Sequence, residues 1–95
     1  LCTNPAKCFN IYPQKGILAA GADADIVIFD MNDTMTIDRT KSYSMAREIA
    51  RVYDGRELKC KVNYTIVRGR VLMEDGVVDT EAKGYGELVK PAEKV

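Results

Sequence analysis

The sequence contains no histidine and no tryptophan, and its 14 basic and 14 acidic side chains leave no formal net charge. The lack of histidine removes the commonest metal ligand and the commonest general base near neutral pH. The charge balance argues against a dedicated nucleic-acid binder, which usually gathers a basic excess on one face. No apolar run approaches the roughly 20 residues that a membrane-spanning helix needs. We therefore expect neither a nucleic-acid partner nor a membrane partner.

Cysteines are also few, because Cys2, Cys8 and Cys60 make an odd number and form no Cys-x-x-Cys pair. We interpret them as three reduced thiols of a cytoplasmic protein, since they are too scattered for a disulfide framework. With 95 residues the chain makes one domain at most, with a modest core. It begins at Leu1 without an initiator methionine, so we expect it to be a piece of a longer polypeptide.

Hydrophobic patterning predicts an α+β fold that is mainly β, with two short helices. The first helix is predicted over residues 3–12 of a terminal segment, 1–13, where Thr3 or Asn4 would be the cap and Pro13 the stop. The second is predicted over about 44–54, because its apolar residues recur at helical spacing. These residues are Met45, Ile49, Val52 and Tyr53.

Residues 14–78 are predicted to form the β portion, and residues 79–95 an arm that runs along a surface or frays. The predicted strands cover about 16–20, 24–30, 34–38, 61–68 and 70–74. Ile26–Phe29 is an unbroken apolar run, so we expect both of its faces to be covered. Arg68-Gly69 and Asp75-Gly76 are predicted hairpin turns, the second leading into Val77-Val78.

The stretch "GADADIVIFD", residues 21–30, contains the most suggestive acidic residues. Asp23 and Asp25 alternate on an extended backbone, so both carboxylates could grip a hard cation. However, only Asp30 follows, at the far end of an apolar strand, and a cation needs more oxygen ligands. The favoured interpretation is structural: Asp23 bonds local backbone N–H groups, and Asp25 stands at the entrance of a strand.

Other candidates are weaker still. Cys60 lies between two lysines, as a nucleophilic thiolate could, but the chain offers no histidine to act as its base. Arg68-Gly69-Arg70 is better explained as a hairpin with solvated tips than as a nucleic-acid patch. "GYGEL", residues 84–88, lacks the third glycine of a dinucleotide fingerprint. The five tyrosines are interpreted as core and interface residues: Tyr12, Tyr43, Tyr53, Tyr64 and Tyr85. We therefore predict no catalytic, cofactor-binding or metal-binding residue in this chain.

Several phrases, in this order and spacing, resemble the segment that follows the barrel in cyclic amidohydrolases, the group of dihydroorotases, hydantoinases or dihydropyrimidinases, and allantoinases. They are "NPAK-x-F", "P-x-KG", "G-x-DADIVI-x-D", "TIVRG-x-V" and the closing "GYGELVKP". The resemblance covers nearly the whole chain. Cys60, where a glycine is common, and Cys8, where a larger aliphatic residue is common, are small departures from the pattern.

The resemblance implies a (β/α)8 barrel that carries a binuclear metal centre, usually zinc, and a β-sandwich built from both ends of the polypeptide. It implies that this chain is the C-terminal part of the sandwich, without the barrel and without any of its metal ligands. The implied partners are the missing barrel and the N-terminal sandwich strands, or another copy of the chain, and we expect a homo-oligomer. The implied parent activity is hydrolysis of a ring amide C–N bond. A free-standing β-rich interaction module and a non-catalytic amidohydrolase paralogue remain as alternatives.

Overall fold

The computed structural model describes residues 1–93 and consists mainly of strands with few, short helices, as the sequence predicts. Its elements are α1 (Thr3–Cys8), β1 (Ile26–Asp30), β2 (Met35–Thr36), β3 (Glu57–Leu58), β4 (Lys61–Val67), β5 (Arg70–Glu74) and β6 (Val77–Val78). Single 3-10 turns occupy Arg39–Lys41 and Thr80–Ala82. Residues 94 and 95 of the predicted arm lie outside the described part.

One antiparallel sheet has the order β1-β4-β5-β6, and β2 pairs with β3 in a separate two-stranded ribbon. Strand β4 is central, and each of its seven residues is half-buried. Strand β1 forms one edge, where Ile26 stands opposite Ile66 and Asp30 opposite Lys61. The sequence missed β3, because two residues give no recognisable pattern.

Both predicted hairpin turns are confirmed. Arg68 (φ 45°) and Gly69 (φ 80°) join β4 to β5, and Asp75 (φ 46°) and Gly76 (φ 84°) join β5 to β6. Two successive positive φ angles define a type I′ turn, whose twist matches that of the flanking strands. The second residue is a glycine in each turn because it adopts this conformation without a steric penalty.

Helix α1 is shorter than predicted and is capped differently. Cys2, not Thr3 or Asn4, is the N-cap residue, and no side chain caps the helix. The helix ends before Pro13 because Asn10 adopts φ 57° and turns the chain away. The N–H of Ile11 then donates to the carbonyl of Ala6, at 2.9 Å, and the N–H of Asn10 to that of Lys7, at 3.2 Å. These bonds form a Schellman motif with asparagine in the left-handed position.

The helix predicted over 44–54 is wrong, since this segment forms only isolated turns such as Ile49 N–H to Ala46 C=O, 3.1 Å. Its apolar side chains are exposed, Met45 at 95% and Ile49 at 79%. A short helix in water needs an apolar face packed against a partner. Periodicity alone could not supply that partner.

The strand predicted over 16–20 is also absent, and these residues form bends and turns. Gly16 adopts φ 87°, incompatible with a strand, and a Cβ atom there would lie 2.6 Å from the Cβ of Ala6. Thr3 Oγ1 donates to the Gly16 carbonyl at 2.7 Å. Gly16 therefore packs closely against α1, whereas residues 17–20 are exposed. The strand predicted over 34–38 is reduced to β2.

Strand β1 contradicts the expectation that both of its faces are covered. Val27 is 54% exposed, Ile28 45% and Phe29 53%, so neither face is buried by residues 1–93. Within that range, Ala6 is the one apolar side chain that is fully buried. The strand has the sequence of an interior strand but lies on an open surface.

Candidate functional site

The polar cluster around Lys15 contains the aspartates that the sequence singled out. Lys15 Nζ lies 2.8 Å from Asp23 Oδ2 and 2.5 Å from Asp25 Oδ2, so both carboxylates bind one ammonium group. Gln14 Nε2 adds a bond to Asp23 at 3.2 Å. The structure brings Asp23 and Asp25 together around Lys15, which the sequence did not indicate. The prediction that Asp23 bonds local backbone N–H groups is wrong, because its carboxylate accepts from the side chains of Lys15 and Gln14. The sequence feature that could have indicated this ion pair is Lys15 in "QKG", eight residues before Asp23.

Electrostatics within this cluster favour the charged forms of all three groups. The hydrogen bond from Lys15 holds the pKa of Asp23 and that of Asp25 below the usual value of an aspartate. The bonds to Asp23 and Asp25 raise the pKa of Lys15. A general base for neutral pH needs a pKa near 7. These shifts move the carboxylates away from that value, so the cluster is suited to structural ion pairing.

Asp25 also determines the geometry of a distant turn. Its Oδ1 accepts a hydrogen bond from the Arg68 N–H at 3.0 Å, and the Ala24 carbonyl accepts one from the Gly69 N–H at 3.0 Å. Ala24 and Asp25 are therefore engaged with the β4–β5 turn and stand outside β1, which begins at Ile26. The predicted position of Asp25 at the strand entrance is confirmed, and its actual partners are Lys15 and Arg68. Asp30, at the other end of β1, accepts a bond from the Asn32 N–H at 2.8 Å.

The arginines of the β4–β5 hairpin are not both solvated tips. The Arg68 guanidinium stacks on Tyr85, 4.3 Å from the ring centroid, and its side chain is 21% exposed. Arg70 Nη2 binds Asp79 Oδ2 at 2.8 Å. "GYGEL" thus supplies an aromatic platform for the hairpin. That contact joins residues far apart in sequence and gives no local signal.

The remaining candidates do not gather into a site. Cys60 is half-buried and free, and Cys2 and Cys8 are free and exposed. Tyr43 and Tyr53 are 68% and 61% exposed, so of the two predicted roles, core or interface, they do not fill the first. Among residues 1–93, no three His, Cys, Asp or Glu side chains are grouped to hold a metal ion. The same residues contain no helix long and apolar enough to cross a membrane.

An open apolar groove of about 500 Å³ lies between α1 and β1, with Lys15, Asp23 and Asp25 along it. Its apolar lining includes Pro5, Ala6, Phe9, Ile11, Ile17, Leu18, Ile26, Val27 and Phe29. The charged groups Lys15, Asp23 and Asp25 are paired with one another, and the free thiol of Cys2 also lines the groove, which is otherwise mainly apolar.

Comparison with known proteins gives the class of this chain. Residues 1–72 match the sequence profile of the Amidohydrolase family. The chain is 44% identical to a dihydropyrimidinase of Rattus norvegicus over 92% of its length, and 38% identical to an L-hydantoinase of Paenarthrobacter aurescens over 94%. The solved D-hydantoinase (dihydropyrimidinase) from Thermus sp. superposes with a TM-score of 0.76 at 32% identity, covering 94% of this chain.

The chain therefore belongs to the Amidohydrolase family. Within that family it is similar to hydantoinases and dihydropyrimidinases, which confirms the resemblance to cyclic amidohydrolases. It spans 16% of the rat relative, 19% of the bacterial relative and 19% of the Thermus structure. Most of each relative has no counterpart among these residues.

Proposed function

We propose that this chain is the C-terminal structural portion of a metal-dependent cyclic amidohydrolase that hydrolyses a ring amide C–N bond, hydantoinase-like or dihydroorotase-like. The segment itself is proposed to be non-catalytic. The hydantoinase and dihydropyrimidinase relatives, matched over most of this chain, support the reaction class. Its role is to complete a β-sandwich and to pack α1 against the catalytic barrel.

The observation that carries this proposal is the open surface of β1. An interior-type strand normally has both faces covered. Here Val27, Ile28 and Phe29 are each about half exposed, and the groove beside them is apolar. Apolar surface of this kind marks contact with another protein element. We assign that element to the barrel and N-terminal strands of the parent.

The zinc pair, or a similar divalent metal, that such an enzyme uses does not fit the residues of this chain. Asp23 and Asp25 are the acidic pair that the sequence indicates, and Lys15 already forms an ion pair with each. A metal would have to displace the ammonium and would still lack the nitrogen ligands that zinc prefers. The metal centre is therefore proposed to lie in the barrel, upstream of these residues.

The partner of the chain is then the rest of the parent enzyme. Where the rest of the parent is missing, a second copy of the chain would cover β1 instead, because β1 is an edge strand beside exposed apolar side chains. We propose that the parent is a cytoplasmic homo-oligomer. The three free thiols at Cys2, Cys8 and Cys60 fit a reducing compartment.

The test is hydrolysis of dihydrouracil, hydantoin, dihydroorotate and allantoin by the full-length parent and by the isolated chain. We expect metal-dependent turnover of one of these by the parent. We expect none by the isolated chain, with or without added zinc. A folded parent inactive on all four would instead favour the non-catalytic paralogue. Turnover by the isolated chain would refute its structural role.

A further inference from the structure

The described part of the arm, residues 79–93, starts at Asp79, which bonds Arg70 and Leu72 of β5, and has two further attachments along its length. Tyr85 binds the β4–β5 hairpin, and Ala92 binds Asn10 at the end of α1. Between these points the arm forms no helix and no strand. This short irregular segment of the arm therefore connects the β4–β5 hairpin to the end of α1.

The attachment at the hairpin uses both the ring and the hydroxyl of Tyr85. The ring stacks under Arg68 at 4.3 Å and lies 5.3 Å from the Arg70 guanidinium. Its hydroxyl donates to the Val67 carbonyl at 3.0 Å, and Arg68 Nη2 donates to the Tyr85 carbonyl. Such a side chain combines cation–π attraction with a polar anchor.

The attachment at the helix is reciprocal. The Ala92 N–H donates to the Asn10 carbonyl at 2.8 Å, and Asn10 Nδ2 donates to the Ala92 carbonyl at 2.6 Å. Asn10 is also the left-handed residue that ends α1. Glycine would satisfy the backbone requirement and keep the bond from the Ala92 N–H, but only a residue with a side-chain donor adds the second bond to the arm. Asparagine meets both requirements.

A second path joins the same two elements. Lys15 N–H donates to the Ile11 carbonyl at 3.0 Å, Lys15 Nζ binds Asp25, and Asp25 binds the Arg68 N–H. The contacts therefore close a ring from the end of α1 through Asp25 to the hairpin, and back through the arm. Helix α1 itself packs little against the strands. The ring therefore adds to the contacts that Thr3 and Ala6 make with Gly16.

We propose that Gly84–Ala92 is a strap that couples the end of α1 to the β4–β5 hairpin and fixes the helix relative to the sheet. The strap is a property of these residues and does not rest on the proposed enzymatic parent. Its consequence is that loosening either end exposes amides at the other end. In an arm that does not couple the two elements, a substitution would expose amides only at the end where it is made.

The experiment is amide hydrogen exchange on the 95-residue chain, carrying Tyr85→Ala, Asn10→Gly or the control Tyr43→Ala. Asn10→Gly keeps the left-handed conformation and removes only the side-chain donor. We expect Tyr85→Ala to speed exchange of the Ile11 and Tyr12 amides roughly fivefold, the effect of losing about one hydrogen bond. Asn10→Gly should speed exchange of the Arg68 and Gly69 amides by a similar factor. The control should change neither region.

Effects confined to the mutated end in both variants would overturn the strap. Ile11 and Arg68 amides that exchange in the unmodified chain as fast as in an unstructured peptide would also overturn it. Circular dichroism shows whether Tyr85→Ala unfolds the chain. If it does, Asn10→Gly alone tests the strap, because this substitution must speed exchange of the Arg68 and Gly69 amides in the hairpin.

Discussion

The Asp25 carboxylate accepts a hydrogen bond from the Arg68 backbone N–H at 3.0 Å, across 43 positions of the sequence. The same carboxylate binds Lys15 Nζ at 2.5 Å. One side chain thus ties the connection after α1 to the turn of the main hairpin. This arrangement explains the aspartates of "DADIVIFD" without any reaction.

Replacing Asp25 should therefore cost stability. We expect Asp25→Ala to lower the free energy of unfolding by about 1–2 kcal/mol, mostly through the unpaired Arg68 N–H in its positive-φ turn. The exposed ion pair with Lys15 adds less than about 1 kcal/mol. Urea denaturation followed by circular dichroism measures the change. The matched control is Glu57→Ala, an exposed carboxylate on β3, which should cost less than about 0.5 kcal/mol. Equal effects of the two substitutions would contradict the role of Asp25.

Stability should also depend on pH through this cluster. The Lys15 hydrogen bond lowers the folded-state pKa of Asp25 from its ordinary 3.8, so its contribution is present above that value. It is lost as pH falls through the folded pKa, because the unfolded chain then binds the proton more readily. Urea midpoints of the unmodified chain and Asp25→Asn should differ at neutral pH and converge toward about pH 2. A difference that stays constant would contradict this linkage.

The contribution of Lys15 to stability should change with pH in the opposite direction, on the alkaline side. Asp23 and Asp25 raise the folded-state pKa of Lys15 above 10.5, so its contribution is complete below that value. The contribution is lost as pH rises through the folded pKa. Lys15→Met should remove this alkaline loss, as measured by urea midpoints on either side of the transition. Parallel curves for the two chains would count against the pairing.

Gly16 should tolerate no side chain. It adopts φ 87°, and an added Cβ would lie 2.6 Å from the Ala6 Cβ and 2.9 Å from the Cys2 carbonyl oxygen. We expect Gly16→Ala to lower the melting temperature by several degrees, equivalent to about 2 kcal/mol or more of strain and overpacking. The control is Gly86→Ala, where nothing lies within 4 Å of the added Cβ. A melting temperature unchanged in Gly16→Ala would show that this connection does not pack against α1.

The open edge at β1 should make the isolated chain self-associate. Phe29 is 53% exposed on this strand. We expect sedimentation velocity to show a concentration-dependent dimer, and Phe29→Lys to shift the chain toward monomer, since charges on an edge strand oppose pairing. Leu88→Lys, at an 86% exposed position in the arm, should leave association unchanged. A chain that stays monomeric at all concentrations would contradict this prediction.

The sequence predicted the elements whose signals are local. Strand β4, strand β5 and both Gly-containing turns follow from alternation and turn chemistry, and the Amidohydrolase relationship follows from ordered motifs. The helix over 44–54 failed because Met45 and Ile49 have helical spacing but nothing to pack against. The strand over 16–20 failed because the close contact of Gly16 with Ala6 is not visible from neighbouring residues.

The contents of the candidate site were predicted in part. The structural interpretation of Asp25 at the entrance of β1 is confirmed, but Asp23 bonds the side chains of Lys15 and Gln14 and not the local backbone N–H groups that were predicted. Their partner Lys15 and the stacking of Arg68 on Tyr85 were missed, because both depend on how distant segments meet. The apolar run at β1 predicted a covered strand, whereas Val27, Ile28 and Phe29 are exposed among residues 1–93.

The most direct measurement is reconstitution of a split parent enzyme, in which a polypeptide lacking these 95 residues is mixed with the separately produced chain. We predict that neither piece alone hydrolyses hydantoin or dihydrouracil, and that the mixture does so in the presence of zinc. Turnover by the 95-residue chain alone, or full activity of the truncated parent without it, would contradict the assignment of these residues as a required, non-catalytic portion.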